Sequence, residues 1–272
     1  MIEQNPLKKE YIPLEIDGVD LRIATMHREG KRLPIVFLHG FGSTKEDYAD
    51  VAFCPQFDDR RIIAFDAPGC GETECSDLSM LSIPFLQQTA ERILMHYGID
   101  RFHLVGHSMG GLTALHLAWS NGSRVSSFAN IKGNLAPEDC FLSRQILDYP
   151  TDDPNEFMRL FVERAWESPT FSSPLFASTL THKIRAQAVT PIFRSMVEIS
   201  DTDNLLAKFT ELPCAKMFVY GDQYRSLSYL GLLKNREVRL AEIERSGHFP
   251  MYSNSPALWD QLGEFIDKSE VE

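Results

Sequence analysis

Gly106-His107-Ser108-Met109-Gly110 lies between an apolar run, Phe102-His103-Leu104-Val105, and a helix-like run, Leu112 to Trp119. A serine with glycines two residues to either side, on a strand-to-helix turn, has the pattern of a nucleophile elbow. The turn is tight and strained, and Gly106 and Gly110 let neighbouring backbone pass without a Cβ clash. The helix that follows aims its N-terminal N–H groups at the serine, a favourable place for developing negative charge. This pattern implies attack on an acyl carbon, hence hydrolysis or acyl transfer. A serine hydroxyl is a poor nucleophile without a base. A histidine suited to that role comes late, in Ser246-Gly247-His248-Phe249-Pro250, behind the last expected strand. Upstream, the run Leu33-Pro34-Ile35-Val36-Phe37-Leu38 ends in His39-Gly40-Phe41-Gly42.

Together with Asp66-Ala67-Pro68-Gly69-Cys70-Gly71 and Tyr220-Gly221-Asp222, these stretches resemble the α/β-hydrolase superfamily, in its lidded esterase-like and epoxide-hydrolase-like group. The resemblance runs from about residue 35 to 250. It implies Ser108 as nucleophile and His248 as base, with the backbone N–H groups of Phe41 and Met109 as the oxyanion hole. It also implies an acid to orient the histidine. In much of the family the acid follows the penultimate strand as Gly-x-x-Asp. Here Gly221-Asp222-Gln223-Tyr224 puts Tyr224 in that place and Asp222 two residues early. Other members carry the acid just after the sixth strand, where Lys132 stands, with Glu138 and Asp139 a little further on. Asp222 is the expected acid; Glu138, Asp139 or no acid are the alternatives.

The implied reaction is cofactor-independent cleavage of a small to medium carboxylic ester or lactone through an acyl-enzyme. Carbon–carbon bond hydrolysis, amide hydrolysis and acyl transfer use the same machinery. Members that run dehalogenase or epoxide-hydrolase chemistry use an aspartate where this chain has Ser108. The alternative class is a binding or signalling protein that keeps the fold and the pocket but turns over little; Lys132 and Tyr224 favour it.

The elements that must position these residues follow from periodicity. Stretches 11–16 and 19–26 read as strands around an Asp17-Gly18 turn. Stretches 34–38, 61–65, 102–105, 124–131, 215–220 and 237–243 read as further strands, several as continuous apolar runs expected of strands covered on both faces. Stretch 83–97 has helical spacing and Gly98 closes it. Alternating strands and helices imply an α/β fold with a mostly parallel, eight-stranded sheet and helices on both faces. From 137 to 190 only helical segments are expected, with starts at Asp153-Pro154 and Ser173-Pro174. This stretch reads as a helical cap inserted after the sixth strand, between core segments 1–136 and 191–272. Its aromatic residues and their neighbours, Phe141, Phe157, Phe161, Trp166, Phe171, Phe176 and Phe193, are candidates for a pocket wall suited to an apolar acyl or alkyl group.

The chain has 272 residues and a net charge of −11, from 38 acidic and 27 basic side chains. That balance argues against nucleic-acid binding. Met1 to Pro6 shows no apolar leader core, and no apolar run reaches the length of a membrane span. The five cysteines match no zinc spacing and read as free thiols in a reducing, cytoplasmic compartment. No metal, flavin or nucleotide site is expected.

Overall fold

The computed structural model describes residues 7–147 and 153–270. Residues 1–6, read above for a leader, and 148–152 of the expected cap lie outside the described residues. The chain starts with a hairpin of β1 (Lys8–Ile16) and β2 (Val19–Arg28). Asp17 and Gly18 have φ of 51° and 79°. Two successive positive φ values make the turn whose twist matches that of paired strands. Next come β3 (Arg32–Leu38), β4 (Arg60–Phe65) and a two-residue β5 (Glu74–Cys75).

Helix α1 (Ile83–His96) opens at Ser82, whose hydroxyl accepts the Phe85 N–H. It closes at Gly98, where φ is 62° and the Ile99 N–H reaches back to Leu94 O at 2.9 Å. Glycine fits that left-handed position without a Cβ penalty. Strand β6 (Phe102–His107), α2 (Met109–Ser120) and β7 (Val125–Ile131) follow. Four helices then intervene, with no strand of the sheet among the described residues: α3 (Pro154–Glu167), α4 (Ser173–Lys183), α5 (Val189–Thr202) and α6 (Leu205–Glu211). Helix α5 runs across the core–cap boundary expected at residue 190. Strand β8 (Ala215–Gly221), α7 (Leu230–Asn235), β9 (Arg239–Ile243), α8 (Pro250–Ser253) and α9 (Ser255–Ser269) complete the chain.

The sheet order is β1-β2-β4-β3-β6-β7-β8-β9, with β5 pairing β2 off this path. The eight expected strands form the path, and β5 is a ninth too short to leave a sequence pattern. Strand β2 runs antiparallel to β1 and β4. The rest of the path is parallel. All six residues of β6 are buried, which is why its sequence is a continuous run rather than an alternation. Burying each large aliphatic side chain there contributes about 1.5–3 kcal/mol.

The C-terminal helix is tied down by charge as well as by its apolar face. The buried guanidinium of Arg60 donates to Glu270 and Asp267, each at 2.7 Å, and His103 Nε2 lies 3.0 Å from Glu270. The intervening helices bury an aromatic cluster: Phe161 meets Phe157, Phe176 and Phe193 at ring separations of 5.9–6.5 Å. Phe193 reaches Phe41, in the loop after β3, at 4.4 Å. That contact joins the helical stretch to the carboxyl edge of the parallel strands, the edge where ligands bind in open α/β sheets.

Candidate active site

Strand β6 ends at His107 and α2 begins at Met109, leaving Ser108 alone on the turn. Its φ is 52° and ψ −119°. A non-glycine residue in such a region stores strain of order 1–3 kcal/mol, so the surroundings must hold it. They do: the Ser108 N–H donates to Ile131 O at 3.0 Å, and Ser108 O accepts from the Leu112 N–H at 3.0 Å. The flanking glycines are a steric requirement. A Cβ on Gly106 would lie 2.5 Å from Gly110 O and 2.8 Å from the Cα of Gly111. One on Gly110 would run into the carbonyl oxygens of Leu38 and His39.

Two loops bring His248 to this turn from across the sheet. Its Nε2 lies 2.9 Å from Ser108 Oγ. A neutral imidazole protonated on Nδ1 accepts the serine proton there. His107 holds the arrangement from beneath. It is buried, and its Nε2–H donates to the carbonyl of His248 at 2.8 Å. Burial pushes the His107 pKa down to about 4, more than its bond to that carbonyl raises it. Burial also lowers His248 well below the ordinary histidine value, and the charges of His107 and Lys132 act the same way.

No carboxylate of the described residues lies within hydrogen-bond or ion-pair distance of His248. Asp222, the expected acid, is turned elsewhere. Its oxygens accept the Arg245 N–H at 3.0 Å and the Ser246 N–H at 3.1 Å. Those bonds lower its pKa. These two bonds tie Asp222, which stands two residues before the Gly-x-x-Asp position, to the loop that carries His248. Glu138 is taken up by Ser228, whose N–H and hydroxyl it accepts at 3.1 and 2.8 Å. Asp139 accepts from Lys132 Nζ, the Tyr229 hydroxyl and the N–H groups of Leu135 and Ala136. The structure therefore brings Ser108 and His248 together and brings none of the three candidate acids to them. Tyr224 stands beside the histidine instead, its ring 6.2 Å from the imidazole.

Phe41 lines the cavity that holds Ser108, and Met109 follows Ser108 in the chain. Met109 is the first residue of α2, so its N–H has no partner within the helix. Neither amide makes a hydrogen bond among the described residues. The loop that carries Phe41 is braced by His39, whose Nδ1–H donates to Gly40 O at 2.8 Å while Nε2 accepts the Ala67 N–H at 2.9 Å.

Ser108 and His248 open into a cavity of about 330 Å³. Of the aromatic candidates, Phe141, Phe161, Phe176 and Phe193 line it; Phe41 and Phe249 join them from the core. Phe157 packs behind, while Trp166 and Phe171 face outward. The polar lining is Lys132, Asn134, Glu138, Asp139, Gln145, Arg164 and several hydroxyls. Among the described residues, no cluster of three histidine, cysteine or carboxylate side chains is placed to hold a metal ion.

Sequence reasoning missed Gln223 and Tyr229. Gln223 Oε1 accepts the Phe171 N–H at 2.8 Å, tying the helical stretch to the loop beside His248. Tyr229 saturates Asp139. Both effects depend on partners 52 and 90 residues away, and neither residue leaves a local signal.

Known proteins resemble the chain in part of its sequence and in its fold. Over 119 residues the chain is 35% identical to the dihydrolipoyllysine-residue acetyltransferase component of the acetoin cleaving system of Pseudomonas putida, covering 43% of this chain and 31% of that protein. It is 30% identical over 121 residues to the pimeloyl-[acyl-carrier protein] methyl ester esterase of Aeromonas hydrophila, 44% of each chain. In both cases the match covers less than half of the relative's length. In fold, the chain is similar to a carboxylesterase structure from the ammonia-oxidizing thaumarchaeon Nitrososphaera gargenis, with a TM-score of 0.75, 16% identity and coverage of 95% and 99% of the two chains. The sequence profile of the alpha/beta hydrolase family matches residues 35–260, a span that holds the elbow, the loop after β3 and His248, and the chain belongs to that family.

Proposed function

We propose that this chain is a cofactor-independent serine hydrolase that cleaves a small to medium carboxylic ester or lactone through an acyl-enzyme. The observation that carries the reading is the 2.9 Å contact between Ser108 Oγ and His248 Nε2, at the mouth of a largely apolar cavity. Ser108 attacks the substrate carbonyl while His248 takes its proton. The Phe41 and Met109 N–H groups receive the oxyanion; one such donor is typically worth about 10²–10³ in rate. Residues 137–190 act as the cap that supplies most of the pocket wall. The test is a fluorophosphonate probe followed by peptide mapping. Rapid modification confined to Ser108 is expected, and a well-folded protein that stays unlabelled contradicts the reading.

Two further results are expected from the same site. Asp222→Asn keeps one acceptor oxygen for the loop and removes nothing from His248. Its kcat/KM should stay within about fivefold of wild type, whereas a true triad acid costs about 10⁴ when replaced this way. The pH profile follows from the direction of the His248 shift. A histidine whose pKa is lowered by folding stays neutral, and so competent as a base, to lower pH. The acid limb of kcat/KM should therefore lie well below pH 6.5, the ordinary histidine value. A limb at or above 6.5 would contradict the burial of the base.

One observation favours a second reading. With Lys132 and Tyr224 where an acid was expected, the chain also has the makings of a binding or signalling protein with little turnover. A ligand whose affinity is the same in wild type and Ser108→Ala, with no catalytic difference between them, would support it.

A further inference from the structure

Lys132 takes the left-handed backbone conformation, with φ of 46°, at the end of β7, and its N–H donates to Val219 O at 2.9 Å. Its side chain lines the same cavity as Ser108 and His248. Nζ donates to Asp139 Oδ1 at 2.5 Å and stands 5.0 Å from the centre of the Tyr224 ring, whose own neighbour is His248. Lys132 and Asp139 are both nearly fully buried, with 5% and 1% of their side chains exposed. Asp139 is saturated by its four donors and cannot swing to the histidine. An ammonium has three N–H donors, and Asp139 engages one of them.

A cation in this place changes both halves of the acyl transfer. An acid opposite His248 would stabilise the imidazolium that forms when Ser108 attacks; Lys132 opposes it. The attack therefore depends more on the electrophilicity of the carbonyl. The opposite holds for the group that leaves. A departing anion in a site of low dielectric gains from a nearby ammonium far more than it would in water. A phenolate or thiolate, with conjugate acids of pKa about 10 and about 8.5, can leave without a proton. An alkoxide cannot.

Resting on the serine-hydrolase reading above and narrowing its substrates, we propose that Lys132 confines this site to acyl donors whose leaving group departs as an anion, namely aryl or enol esters and thioesters, and sets it against alkyl esters and aliphatic lactones. In the first step the Ser108 Oγ–carbon bond forms and the bond from carbon to the leaving group breaks. The leaving group takes the bonding pair, facing Lys132, and the serine proton rests on His248 Nε2 before passing to solvent. Water then attacks the acyl-enzyme. His248 takes a proton from it and returns that proton to Ser108 Oγ as the acyl–oxygen bond breaks. The sum is acyl donor plus water giving carboxylic acid, the anionic leaving group and one proton.

The experiment uses four butyryl donors that differ only in leaving group: 4-nitrophenyl, phenyl, an alkyl thioester and ethyl. Each kcat/KM is divided by the hydroxide-catalysed rate constant of the same compound. The aryl and thioester values should exceed the ethyl value by about tenfold or more, and Lys132→Met should shrink that preference to within about threefold. Because Lys132→Met leaves Asp139 without its cation, the double variant Lys132→Met/Asp139→Asn is measured beside it. Fluorophosphonate labelling of Ser108 reports a formed site in every protein. Equal corrected rates for aryl and ethyl donors in a labelled wild type overturn the role of the leaving group while leaving the hydrolase standing. A preference that survives in labelled variants of both kinds overturns the assignment to Lys132. If only the thioester or only the aryl esters are preferred, the proposal narrows to that source of the anion. A wild type that does not label overturns the hydrolase reading, and the proposal with it.

Discussion

Ser108→Ala is expected to lower kcat/KM for an aryl ester by about a hundredfold, and not by a millionfold. In serine proteases with a full triad, losing the serine costs about 2 × 10⁶ in kcat and losing the acid alone about 3 × 10⁴. The ratio of these leaves about 10² for a serine and histidine working without a carboxylate. That is the arrangement found here, with His248 2.9 Å from Ser108 and Asp222, Glu138 and Asp139 all engaged elsewhere. Steady-state kinetics of the purified variant decide the matter. An unchanged rate removes Ser108 from the reaction. A loss near a millionfold means that a carboxylate reaches His248 during turnover, and the two-residue site is then mistaken.

Gly110→Ala should cost about 3 kcal/mol or more in stability and abolish labelling of Ser108. The added Cβ would meet the carbonyl oxygens of Leu38 and His39. Leu38 is the last residue of β3, paired with β4 on one side and β6 on the other, and His39 follows it, so these backbone atoms cannot give way as a flexible side chain would. The elbow and the loop bearing Phe41 would be forced apart together. Gly231 in α7 is the control, since nothing lies within 4 Å of a Cβ placed there. Gly231→Ala should leave stability unchanged or raise it by about 0.5–1 kcal/mol, as alanine is the better helix former. Chemical denaturation of the two variants beside wild type measures the contrast. Equal midpoints would remove the steric account of the elbow.

The fold was legible because its signals are local. The continuous apolar runs of β3, β4 and β6 announce strands covered on both faces. Asp17-Gly18 and Gly98 supply the positive φ that their turn and cap need. The glycines around Ser108 answer to backbone crowding that any such turn creates, so the elbow could be read from five residues. Ser108 sits at the end of β6 and His248 in the loop after β9, both on the carboxyl side of strands that local patterns announce.

What meets the far side of His248 is a different kind of question. The sequence offered three carboxylates near the expected acid positions, and composition alone cannot tell which is free. Asp222 is claimed by two N–H groups in the loop ahead of His248, Glu138 by Ser228, and Asp139 by Lys132 and Tyr229. Those partners lie up to 90 residues away and are chosen by how loops and helices pack over the sheet edge. The same packing sets His107 under the His248 carbonyl and picks which phenylalanines face the cavity. Local backbone demands thus determined, from sequence alone, where the serine and histidine stand. The competition of buried donors for each carboxylate, which only tertiary contacts resolve, decided that the histidine faces a tyrosine and a lysine in place of an acid.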